Sequence, residues 1–296
     1  MKKIVFVLLT FFTFTNYAQL TINSIGEKFT QNFNSLSSTG TGNTWTNNST
    51  ISGWYATLST YDAGSGSSAS GGLYSFGTTS DRAIGAVSDN GTGTVSWGVQ
   101  FLNSTGITIS TIYLKFVGEQ WRDAGNNPAS SQTVAFSKVV NATQLSDLYT
   151  GSYENATAFD FTSPVFTTTA GALDGNYNAN KATVSGFLTI NASSTNYFLL
   201  KWSDLNHSFE DHGMGFDDFV MIPMPNQVSD LLTANASATQ IDLSWSIPIG
   251  AENVIIIAHE ATSPSISLDA KTLMDAAYHY SSFTGANSNY SNAPAL

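Results

Sequence analysis

The chain has 296 residues, no cysteine and only 10% charged residues, with 21 Asp and Glu against 10 Lys and Arg for a formal charge of −11. Without cysteine there are no disulfide staples and no structural thiolate zinc, so stability rests on a packed core. The acidic balance excludes nucleic acid and anionic membranes as direct partners, because phosphate binding needs clustered Lys and Arg.

From the N-terminus, Lys2 and Lys3 precede the apolar run Ile4 to Phe14 and a small residue, Ala18, before Gln19. This is the layout of a secretory signal over 1–18, and the apolar run falls short of the ~18 residues a membrane-spanning helix needs. The mature chain is expected to be secreted, extracellular or at the cell surface, with no membrane span. Aromatics at 12% beside abundant Gly, Ser, Thr and Asn suit an ordered β-protein, because disordered chains lack aromatics.

Val95, Trp97, Val99 and Phe101 alternate with Ser96, Gly98 and Gln100, the period of a strand with one buried face. Ile107, Ile109, Ile112, Leu114 and Phe116 follow the turn-forming Asn103–Gly106, so the two runs predict a hairpin, and the parity change between Ile109 and Ile112 predicts a bulge. Further strands are expected at 133–140, 183–190, 197–202, 216–222, 240–246 and 253–258, with one short helix at 269–277. Many short strands punctuated by Gly and Asn predict an all-β chain built as a jelly-roll-like β-sandwich. A boundary falls at Pro223-Met-Pro225, since proline cannot donate to a ladder. The domains are therefore a signal (1–18), a sandwich (19–224) and a C-terminal unit (225–296).

Most chemistry-bearing residues lie in SDLNHSFEDHGMGFDDFVM, residues 203–221. Strands on either side leave 203–215 as a long loop of a closing hairpin, and long loops are commonly functional or ion-bound. Within the following strand Asp217 and Asp218 point to opposite faces, so they do not form a catalytic carboxylate pair. His207 and His212 are five apart with no HExxH pattern, and no GxSxG elbow occurs, so the chain is expected not to be an enzyme. Asp174-Gly-Asn176-Tyr-Asn178-Ala-Asn180 alternates oxygen donors but lacks the final Glu of a calcium loop, and turn chemistry explains it more simply. Among the tryptophans, Trp97, Trp202 and Trp245 sit in strand patterns as core. Tyr113, Lys115, Glu119 and Trp121 share the strand face opposite Ile112, Leu114 and Phe116, and Tyr113, Glu119 and Trp121 form a candidate aromatic-polar platform for a sugar, unless a sheet edge or loop covers it. Trp45 and Trp54 are further candidates without a strand register.

Two resemblances extend this reading. PNQVSDLLTANASATQIDLSW (225–245) resembles the opening of a fibronectin type III (immunoglobulin-like) sandwich, incomplete or divergent here because no tyrosine-corner strand follows. The pieces EKFTQNFNSL (27–36), Gly53-Trp54, YSFG (74–77), SDRAIG (80–85), GEQWR (118–122), GALDGN (171–176) and HGMGFDDF (212–219) resemble a jelly-roll-like module of large secreted bacterial surface proteins, Bacteroidota-like in the signal and body. The resemblance implies a structural Ca²⁺ held by Glu27 and by Asp217 or Asp218. The competing reading has these acids capping turns or taking hydrogen bonds from backbone N–H, Arg82 or Arg122.

Two functions follow. The first is a secreted, non-catalytic binding or adhesion module for polysaccharide, surface glycan or other cell-surface proteins. The second is the accessory N-terminal region of a larger secreted hydrolase (nuclease, protease or glycoside hydrolase) whose catalytic domain lies outside this chain.

Overall fold

The computed structural model describes residues 19–78 and 80–226 and the strand backbones of 232–234 and 242–244. The expected signal, the strand at 253–258, the helix at 269–277 and Trp245 lie outside the described residues. In chain order the strands are β1 (Leu20–Ile22), β2 (Phe29–Gln31), β3 (Asn43–Thr44), β4 (Trp54–Ala56), β5 (Thr60–Gly64), β6 (Gly72–Phe76), β7 (Ala83–Val87), β8 (Val95–Asn103) and β9 (Ile109–Asp123). They continue as β10 (Thr133–Asn141), β11 (Glu154–Asn155), β12 (Phe161–Thr162), β13 (Gly171–Ala172), β14 (Lys181–Ala192), β15 (Tyr197–Asp204), β16 (Gly213–Pro223), β17 (Leu232–Ala234) and β18 (Asp242–Ser244). Among the described residues the helical content is two single 3₁₀ turns, Thr157–Phe159 and Asn178–Asn180.

Two mixed sheets form a sandwich. The first has seven strands in the order β1-β8-β15-β10-β11, with β4 also on β8 and β12 on β10. The second has nine, in the order β13-β9-β16-β7-β6-β5-β3, with β14 on β9 and β2 on β16. The long strands alternate between sheets: β8, β10 and β15 lie in the first, β9, β14 and β16 in the second. This back-and-forth winding is jelly-roll-like, as the strand pattern implied. It corrects two local expectations. β8 and β9 do not pair as a hairpin, because the turn at 103–106 carries the chain across the core from one sheet to the other. For the same reason β15 and β16 do not form a closing hairpin, and their connection is only residues 205–212. Period-2 alternation shows which side chains face inward but does not say which strand is the neighbour.

The inward positions meet in an aromatic core. Trp97 and Trp202 from the first sheet pack on Phe216 from the second, with Trp202 and Phe216 centroids 4.7 Å apart, and Trp54 meets Phe219 edge-on at 5.3 Å. Trp54, Trp97 and Trp202 are fully buried, which fits an interior without disulfides, since each such ring removes a large apolar area from water. The parity change in β9 has its register irregularity on the partner strand: Thr111 pairs Thr189 but Ile109 pairs Ala192, so β14 carries the extra residue.

Both outer faces carry small covered clusters of their own. Over the first sheet, the segment after β10 is pinned by Gln100, whose Oε1 accepts from Leu145 N–H (2.8 Å) and whose Nε2 donates to Leu145 C=O (3.1 Å). This traps Tyr55, Val139, Leu148 and Leu199 beneath it. Over the second sheet, Tyr74, Phe76, Ala83, Val87 and Trp121 form the corresponding cluster. β17 and β18 pair antiparallel, with Thr233 opposite Leu243.

Candidate functional site

The expected sugar platform does not form. Tyr113, Glu119 and Trp45 are each 3% exposed, and Trp121 and Trp54 are fully buried. The cause is a layer of loops over the outer face of the second sheet. Phe76 stacks on Trp121 at 6.1 Å and 6°, and Tyr74 stacks on Phe76 at 4.9 Å and 9°. From the loop side Gly175 lies so close that a Cβ there would sit 2.4 Å from the Trp121 indole. The indole N–H donates to Glu119 Oε2 at 3.0 Å, so the polar partner of the expected platform is committed inside the cluster. Tyr113 packs on Phe187 of β14 at 5.6 Å.

The expected calcium ligands are not brought together either. Phe29 pairs with Met221 and Gly26 N–H donates to Pro223 C=O, which sets Glu27 beside the end of β16, roughly 20 Å of strand from Asp217 at about 3.3 Å per residue. Glu27 itself accepts from Asn23 N–H at 2.9 Å on an exposed turn. Asp217 and Asp218 do diverge, Asp217 buried and Asp218 exposed, but a bulge contributes: the register steps from Asp217–Val117 to Val220–Lys115, and Asp218 has φ +52°. Among the described residues no group of three or more His, Cys, Asp or Glu converges as metal ligands. Arg122 spends its guanidinium on the carbonyls of Gly66 and Ser67 at 3.3 Å. The 174–180 run is turn chemistry, with Asn176 N–H donating to Asp174 Oδ1 (3.1 Å) and Asn180 Nδ2 to Asp174 C=O (2.8 Å).

Burial has consequences for the acids on this face. Desolvation pushes Glu119 up to about 7 against the pull of the indole N–H, and pushes Asp217 up to about 8. Asp217 Oδ1 has no hydrogen-bond partner among the described residues. In these places the neutral carboxyl is the form the fold accommodates.

The acid- and histidine-rich stretch leads to an open site. Residues 205–212 are held at one end of the sandwich by Glu210 C=O, which accepts from Asn126 Nδ2 (3.0 Å) and Gln132 Nε2 (2.9 Å). His212 is an anchor: its Nδ1 accepts from Ala124 N–H (2.9 Å), which places the ring proton on Nε2, 3.1 Å from Ser130 C=O. Asp211, 5% exposed, accepts from His207 Nδ1 at 2.7 Å and from His207 N–H, and folds the loop back on itself. Burial raises its pKa, opposed by those His207 bonds.

Two neighbouring segments complete the walls. The turn after β7 is built on Asp89, whose Oδ1 accepts from Gly91 N–H, Thr92 N–H and Thr92 Oγ1 at 2.7–2.9 Å while Oδ2 accepts from Gly71 N–H at 2.9 Å. Those donors, Thr92 foremost, hold its pKa below the ordinary range. The segment after β9 turns at Gly125, at φ +74°, where a Cβ would meet the Ala170 backbone N at 2.2 Å. Between the three segments opens a cleft of about 400 Å³, lined by Asp89, Asn90, Asn126, Asn127 and Asn206 with His207, Glu210 and Asp211, and edged by Phe209 at 56% exposure. Next to Ser88, whose Oγ donates to its backbone carbonyl at 2.7 Å, Asp204 is buried, and desolvation with the nearby Asp211 charge raises its carboxyl well above the carboxylate range against the pull of Ser88.

Sequence reasoning found the loop but missed its partners. The turn signal SDNGTG (88–93) and the Asn126-Asn127-Pro128 run were there to be read, yet only the fold shows that they face residues 205–212.

No family model and no curated protein matches the chain. Among solved structures it is similar to the CBM22-1 xylan-binding domain from Paenibacillus barcinonensis, at 8% identity over 69% of this chain and 100% of that one, TM-score 0.34. It is also similar to the N-terminal cellulose-binding domain of Cellulomonas fimi β-1,4-glucanase C (17%, 70% and 100%, TM-score 0.30) and to a cleaved adhesin domain of Lys-gingipain from Porphyromonas gingivalis (14%, 49% and 74%, TM-score 0.28). At such identities and scores no residue role passes from these structures to this chain.

Proposed function

We propose that the protein is a secreted, non-catalytic binding or adhesion module that takes a polysaccharide or surface glycan in the cleft at the end of its sandwich. The observation that carries this reading is the cleft itself: a concave site lined by planar amide and carboxyl groups with one exposed aromatic ring at its edge. Planar amides and carboxylates match adjacent sugar hydroxyls, each offering a donor–acceptor or acceptor pair, and an exposed ring packs on the apolar face of a pyranose. The non-catalytic part is supported by the histidines. His212 has both ring nitrogens committed to backbone groups and His207 is bound to Asp211, so both rings serve to hold the loop. The site's position on loops at a rigid end, with both outer sheet faces partly covered, suits a module that meets a large polymer end-on.

Affinity electrophoresis in gels containing soluble xylan, galactan, mannan or β-glucan tests this. We expect retardation by at least one neutral polymer and its loss, with unchanged thermal melting, in Phe209→Ala. Retardation that survives this variant undiminished places the site elsewhere.

A further inference from the structure

We propose that the cleft selects among glycans by charge, admitting neutral chains and refusing those that carry uronate or sulfate. The inference rests on the glycan reading and names the ligand class of that same site. Three carboxyl residues line the cleft, Asp89, Glu210 and Asp211, together with four asparagines, and no Lys or Arg is among the lining residues. The one side chain there able to become cationic, His207, already faces Asp211 at 2.7 Å. Asp89 is held ionised by four donors from its own turn and from Gly71, so its charge is a fixed feature of one wall. Glu210 supplies the opposite wall, on an exposed side chain whose backbone carbonyl, not its carboxylate, fastens the loop.

An anionic sugar entering such a site would bring its charge toward fixed carboxylates and give up water without gaining a cationic partner, which is how sites reject a near-identical ligand. Neutral hydroxyls meet no such opposition, and the carboxylates and amide oxygens accept hydrogen bonds from them. Because the walls are open to solvent, the discrimination weakens as the Debye length shortens from about 10 Å at ~0.1 M salt to about 3 Å at ~1 M.

Matched polymer pairs that differ in charge give the test: galactan against polygalacturonate, xylan without against xylan with glucuronate branches, and hydroxyethylcellulose against carboxymethylcellulose, by affinity electrophoresis and calorimetry on the intact protein. For each backbone that binds, the anionic member is expected to be about tenfold or more weaker at low salt, an energy gap of roughly one factor-of-ten step. The gap should narrow in high salt and shrink in Glu210→Lys, which reverses one wall charge while leaving the anchoring backbone carbonyl in place. An anionic member that binds as tightly as its neutral partner, and loses that binding in Phe209→Ala, overturns the charge selection while leaving the glycan site standing. Failure of every neutral and anionic polymer to bind overturns the glycan reading, and the selection with it.

Discussion

The outer face of the second sheet and the cleft at the sandwich end are built from the same kinds of residue and have opposite fates. On the face, Trp121, Glu119 and Asp217 are sealed under loops, the indole N–H answering one carboxylate and the second acid left with an unpartnered oxygen. At the end, Phe209, Glu210 and Asp89 stand around an open space of about 400 Å³. Acids and aromatics in sequence thus mark two unlike things, a covered secondary core and a solvated wall, and the loops decide which. In the covered place the carboxyls resist ionisation, whereas at the cleft Asp89 is held ionised by donors of its own turn.

A large expected effect separates the two regions by stability. Trp121→Ala removes the ring between Phe76 and Gly175 and is expected to cost about 3–5 kcal/mol in urea denaturation. A variant that loses glycan binding at unchanged stability would instead make Trp121 part of an exposed site and undo the contrast.

A second large effect comes from pH. Glu119 and Asp217 have folded pKa values raised to about 7 and about 8, above their unfolded values of 4.5 and 3.8. Between those limits the unfolded chain has released protons the folded one keeps, so stability falls as pH rises from about 4 to about 8 and levels beyond. Asp204 and Asp211, also raised, act with the same sign. The double variant Glu119→Gln, Asp217→Asn should flatten this slope, gaining on the order of 5 kcal/mol or more at pH 8 relative to its difference at pH 4. A slope unchanged by both substitutions would show that these carboxyls are solvated, like Glu210 at the cleft wall.

The smallest expected effect on stability is at the cleft edge. Phe209→Ala should change the free energy of unfolding by no more than about 0.5 kcal/mol, since more than half of the side chain is in water. A loss of several kcal/mol would mean that the loop packs as a core and that the cleft is as closed as the sheet face.

The alternation of Val95, Trp97, Val99 and Phe101 was enough to show a buried strand face, because side-chain direction in a strand is a local property with period two. The all-β class, the core roles of Trp97 and Trp202 and the end of the last long strand at Pro223 were legible in the same local way. Sheet partnership was not. Whether residues 103–106 fold a hairpin or carry the chain to the other sheet depends on which long-range pairing buries more apolar surface, and that is not written in the turn.

The same division holds for the site. Residues 203–221 stand out by their charge density, and the sequence determined that Asp217 and Asp218 could not act as one pair. It also determined an acidic, cysteine-free chain in which thiolate chemistry and disulfides play no part. Only the tertiary structure decided that Trp121 is covered by Gly175, that Glu27 ends far from Asp217, and that residues 88–90 and 125–127 close around 205–211 to make a cleft. The physical reason is range: strand direction and turn chemistry act over a few residues, whereas burial of a given ring or acid is settled by loops that arrive from tens of residues away.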